Sequence, residues 1–131
     1  MPPLEDKGLS DVTVAVTAEV LFLVNLLALP GLAFLALLWL GQREKHRDSA
    51  LVRCHLGQAV RVSLWGGAIL VLAVSAMLLA GGLHAAWTWV AVILYFTCIH
   101  STLVLFGIFG LAKAMAGKTW SYPLIGSRCD G

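Results

Sequence analysis

Charge is what this sequence has least of. Nine Lys/Arg and seven Asp/Glu are spread over 131 residues, so 12% of the side chains are charged, about half the share of a soluble domain. Hydrophobic residues make up 60% of the chain, and the mean hydropathy is +0.88. A water-soluble chain of one-domain length needs polar side chains to cover its surface, and this one has too few. That excludes an ordinary cytosolic enzyme and a disordered segment. A net charge of +2 gives no electrostatic drive toward nucleic acid. What remains is a small integral membrane protein whose first partner is the lipid bilayer.

Other absences narrow the chemistry. The cysteines are Cys54, Cys98 and Cys129. They form no CxxC or CxxCH motif, so neither a zinc ribbon nor a c-type haem is indicated. A disulfide scaffold is not expected, because the number is odd and a core built in lipid does not need one. No nucleophile–base pair, metal-ligand cluster or phosphate loop is visible, which predicts a protein that is not an enzyme and holds no cofactor or metal. Cys54 beside His55 is no dyad, since neighbouring side chains on a helix diverge by about 100°. There are no ten-residue alternating segments, which excludes a β-barrel. The start Met1-Pro2-Pro3-Leu4-Glu5-Asp6 has no basic n-region and no glycine at position 2, so neither a cleaved signal peptide nor a myristoyl anchor is expected.

Against these absences stand two long runs without an ion, Val20–Gln42 and Val62–Ala112, of 23 and 51 residues. A span needs roughly 20 helical residues. The first run is read as one span, and the second as two spans with a turn at Gly81-Gly82-Leu83-His84. Helices are required because every backbone N–H must be paired inside lipid. The expected architecture is therefore an all-α membrane protein of three transmembrane helices, about 18–41, 57–80 and 86–113, each near the length a bilayer needs. Residues 1–17 form an outer N-terminal segment, 42–56 a cytoplasmic loop and 114–131 a cytoplasmic tail. Pro30-Gly31 is expected to kink the first span. Residues 10–20 belong either to that span or to an interfacial segment before it.

Basic residues orient the chain. Arg43, Lys45, Arg47, Arg53, Arg61, Lys113, Lys118 and Arg128 fall on one side of the three expected spans. Lys7, with Glu5, Asp6, Asp11 and Glu19, falls on the other. The positive-inside rule then puts the N-terminus outside and the C-terminus in the cytoplasm of a bacterial inner membrane. Trp39, Trp120 and Tyr122 mark the inner interface and Trp87 and Trp89 the outer one, while Trp65 is read as a deeper packing residue.

Several polar residues need partners. Glu19 is expected as a hydrated acid at the outer interface, with a proton-relay or cation site as the alternative. Asn25 should hydrogen-bond to another helix. His100, near the middle of the third span, is either bonded to a neighbouring helix or a ligand or proton site. A haem between His100 and His55 is excluded. Its axial nitrogens need to be about 4 Å apart, and the two residues differ in depth by on the order of 15–20 Å. His55, Gln58 and Arg61 line one face of an amphipathic segment, 49–61, that leads into the second span. This stripe is read as an interfacial anchor or as a site for a headgroup or partner. Asp48 or Ser49 is the expected N-cap. Small residues Ala59, Ser63 and Gly67, and Gly107, Gly110, Ala114 and Gly117, form two stripes. They are assigned to contact between the second and third spans, or to a homo-oligomer or other membrane partners.

The order of motifs resembles a known family. A span ending Leu37-Leu38-Trp39-Leu40 precedes a charged loop, then His55-Leu56-Gly57-Gln58-Ala59 opens the next span. After the third span come Ala116-Gly117-Lys118, Trp120 and Tyr122-Pro123-Leu124-Ile125. This is similar to the small Tic20-like, DUF4870-type bacterial membrane proteins, over roughly residues 18–126. The resemblance implies family-pattern positions at His55, Gln58, Tyr122 and Pro123, and a link to protein translocation. Typical members have four spans. Together these readings favour an accessory or assembly subunit that acts through helix–helix contacts. A redox or quinone-linked subunit and an oligomeric channel or transporter are the alternatives.

Overall fold

The computed structural model describes residues 4–122 and Cys129. Among them the regular structure is all helix: α1 (Leu4–Leu27), α2 (Leu32–Arg43), α3 (Ala50–Gly81) and α4 (Ala86–Met115). Three are long and apolar enough to cross a membrane, within Glu5–Leu27, Ala50–Gly81 and Ala86–Met115. With 12 residues, α2 is about 18 Å long, well short of a hydrocarbon slab about 30 Å thick.

The stretch expected as one kinked span, about 18–41, is instead two helices. Pro30 has no N–H to continue α1, and it biases Leu29 away from helical geometry. Gly31 then takes φ 88°, a left-handed value that redirects the chain. Asn25 stabilises the break: its Oδ1 accepts the Gly31 N–H at 3.0 Å. The expected bond from Asn25 to another helix is replaced by this local one. The chain folds back, and α2 returns along α1.

Contacts beyond α2 establish the reversal. Past its C-terminus, Arg47 pairs with Asp11 of α1 at 2.8 Å, and Ser49 caps α3 by accepting the Val52 N–H at 3.3 Å. At the end of α4, a Cβ on Gly117 would lie 3.6 Å from Val12. The N-terminal part of α1, the α2–α3 loop and the segment after α4 therefore share one end of the bundle. The expectation that the α1 acids and the Arg47 loop lie on opposite sides does not hold, because it assumed no return helix.

Lys7, Asp11, Arg43, Arg47, Arg53 and Lys118 all gather at this charged end. The opposite end is the uncharged turn between α3 and α4, where Gly82 has φ 75°. The α1–α2 turn reaches only the middle of the long pair, since Asn25 and Pro30 share a cleft with Gly66, Gly67 and His100. The core runs from that level toward the charged end and includes Phe22, Leu37, Val52, Ala59 and Val62. Trp65 is 53% exposed and faces outward rather than packing inside.

Candidate functional site: a buried polar clasp

His55 and Gln58 stand three residues apart near the start of α3, so one helical face presents both. That face turns inward, and Glu19 comes from α1 to meet it. Glu19, His55 and Gln58 are fully buried and Tyr122 is 2% exposed. Burying such groups is costly unless each polar atom finds a partner. Here each does.

His55 Nε2 lies 2.9 Å from the Lys118 carbonyl oxygen. A carbonyl only accepts, so Nε2 carries the proton. Nδ1 lies 2.6 Å from Glu19 Oε1, within hydrogen-bond distance. The Tyr122 hydroxyl donates to Glu19 Oε2 at 2.5 Å. Gln58 holds the backbone of the tail: its Oε1 accepts the Tyr122 N–H at 2.6 Å, and its Nε2 donates to the Trp120 carbonyl. Burial, followed by the nearby Glu19 charge, raises the Tyr122 phenol well above its ordinary pKa.

Glycine makes room for the acid. A Cβ at Gly110 would come within 2.7 Å of Glu19 Oε2, and one at Gly107 within 2.6 Å of Leu23 and 3.0 Å of Phe22. These small residues therefore pack α4 against α1, not against α3 as the stripe suggested. Ala59 and Ala114 are fully buried. No atom lies within 4 Å of a Cβ on Gly67; Gly66 instead takes the α4 contact, with Leu103 at 3.3 Å. The Ser63 hydroxyl is buried with no partner among the described residues.

Beside Gln58, Cys54 is disulfide-bonded to Cys129, 75 residues away in sequence. A staple was not expected from an odd cysteine count. It ties the tail to α3 at the point where Gln58 holds it. Trp120 and Tyr122 complete the seat, with ring centroids 4.8 Å apart. Tyr122 also packs on Phe22 at 5.7 Å.

The remaining candidates lie elsewhere. Arg61 is on another face of α3, away from His55 and Gln58, so the proposed three-residue stripe splits. His100 is half-buried, 5.2 Å from Phe96 and nearly parallel to it, at the edge of the midlevel cleft of about 250 Å³. Pro123 lies outside the described residues. Sequence reasoning missed the role of Glu19 and the Cys54–Cys129 bond. A pointer to the first was available in Glu19 itself, an acid at the border of an apolar run.

Every side-chain oxygen and nitrogen of the clasp has a hydrogen-bond partner within the chain. Among the described residues no group of three or more His, Cys, Asp or Glu is placed to hold a metal ion. The arrangement fastens the tail to the bundle.

Residues 10–128 match the family model of MamF and MmsF, the magnetosome magnetite crystal formation protein family. The chain belongs to that family. The match takes in α1 from Ser10 onward, the whole clasp and Pro123. No curated protein and no solved structure matches the chain. The Tic20-like, DUF4870-type assignment is thereby corrected, and the translocation link that rested on it is withdrawn. The His-x-x-Gln and Tyr-Pro elements were real features attributed to the wrong family: short motifs at the membrane interface do not discriminate between families of small helical proteins.

Proposed function

We propose that this chain is a non-enzymatic accessory protein of magnetosome magnetite crystal formation, resident in a bacterial membrane and acting through helix–helix contacts with copies of itself or other membrane proteins. The family match supports the process, and the exposed α3–α4 pair supports the mode of action. Leu72 and Leu79 on α3 are 70% and 87% exposed, and no ion interrupts Val62–Ala112. This apolar surface, available to lipid and to other helices, is the observation that carries the reading. By the positive-inside rule the basic residues direct the charged end, and with it the N-terminal part of α1, toward the cytoplasm, whereas the Cys54–Cys129 disulfide at the same end favours an oxidising side.

The test is deletion and restoration in a magnetite-forming cell, with crystals measured by electron microscopy and the protein followed by membrane fractionation. The expected result is altered crystal size on deletion, recovery on restoration, and co-fractionation with the crystal-bearing membrane. Unchanged crystals in the deletion strain overturn the proposal.

A further inference from the structure

Arg53, Gly57 and Arg61 recur every fourth residue on α3 and so share a face. That face looks toward the end of α2, and between the two lies a groove of about 460 Å³. Its floor is apolar, formed by Val52, Leu56, Val60 and Leu64, and its rim is cationic, formed by Lys45, Arg53 and Arg61. The space beside Gly41 and Gly57 is open: a Cβ on either would meet no atom within 4 Å. Glu44 is the acid in the lining, and its carboxylate is taken by Arg47 at 2.5 Å and Arg43 at 3.7 Å. Arg53 meets Asp48 at 3.5 Å through a contact 64% and 94% exposed on its two sides, and such surface pairs are weak. Lys45 and Arg61 have no ion-pair partner among the described residues.

We propose that this groove binds one anionic phospholipid, with its phosphate among Arg61, Arg53 and Lys45 and an acyl chain along Val60 and Leu64. The placement fits: Arg61 directly precedes the long uncharged run, so the groove lies where headgroups give way to hydrocarbon. A free phosphate would satisfy the rim and leave the floor bare. A neutral lipid would cover the floor and leave the cations without a counter-charge. An anionic lipid satisfies both, and basic residues at this level attract such lipids. The inference rests on the membrane reading above and deepens it by naming a lipid class.

The experiment is native mass spectrometry of the full chain released from detergent micelles containing phosphatidylglycerol and phosphatidylcholine. Circular dichroism checks the helicity of each variant, and flotation with pure phosphatidylcholine vesicles tests membrane association separately. The wild type is expected to retain one phosphatidylglycerol in preference to phosphatidylcholine. Arg61→Gln should lower that preference about fivefold, the effect of one interfacial cation. Gly57→Leu, which fills the groove without changing charge, should reduce retention of both lipids. Lys7→Gln, which removes a cation at the same end of the bundle but outside the groove lining, should retain phosphatidylglycerol as the wild type does. Excess inorganic phosphate should not displace the lipid. A chain that floats yet shows no lipid preference, or the same preference in the helical Arg61→Gln and Gly57→Leu variants, overturns the site alone. Displacement by phosphate also overturns it. A chain that does not float overturns the membrane reading and the site together.

Discussion

Near the charged end, α1, α2, α3, α4 and the tail converge around four polar side chains, none more than 2% exposed. At the far end α3 and α4 run on alone, and Thr88 is the one buried residue between positions 67 and 106. The difference shows what organises a helical protein in lipid. Apolar surface gains nothing by being hidden from acyl chains, so the far half is left uncovered. Ionisable and amide side chains are the costliest to bury unpaired, so helices gather where Glu19, His55 and Gln58 are.

The strongest way to break this contrast is to remove one partner of the buried pair. Glu19→Ala should destabilise the protein by about 3–5 kcal/mol, because His55 and the Tyr122 hydroxyl then lose their buried partner. Thermal unfolding in detergent, followed by circular dichroism, measures it. Next in size is reduction of Cys54–Cys129. Releasing a link across 75 residues should cost about 2–4 kcal/mol. Limited proteolysis with and without reductant should show new cleavage in the tail and none in the α3–α4 turn.

A smaller effect is expected from pH. The folded state holds the Tyr122 phenol above its ordinary value of 10.0, so it favours the neutral form. That contribution is complete below pH 10, and it declines at higher pH because the unfolded chain ionises first. The unfolding temperature should therefore fall above about pH 10, and Tyr122→Phe should flatten that fall. The smallest effect belongs to the far half. Leu79→Ala, at a position 87% exposed, should change stability by about 0.5 kcal/mol or less in the same assay. A large loss at Leu79 would mean that this surface is packed against another chain.

The all-helical class was legible from the distribution of charge alone, because two uncharged runs of such length allow little else. The reversal at Pro30-Gly31 was not. A proline followed by a glycine is compatible with a kink or a turn, and contacts distant in sequence, such as the Arg47–Asp11 pair, separate them. His55, Gln58 and Tyr122 stood out as motif residues, yet the arginine spaced with the first two was grouped with them and belongs to another face. Hydration is the cheaper fate of a lone acid, so sequence alone points Glu19 toward solvent. Its partners come from α3 and from the tail, and no local pattern announces them. The glycines at 107 and 110 announced close approach but not to which helix.

The stunted second helix gives the molecule a tapered outline. Four rods fill its cross-section at the charged end and two at the other, each about 10–12 Å wide. Seated in a bilayer, such a body displaces more lipid from one leaflet than from the other, and it fits a sheet that bows outward on its wider side.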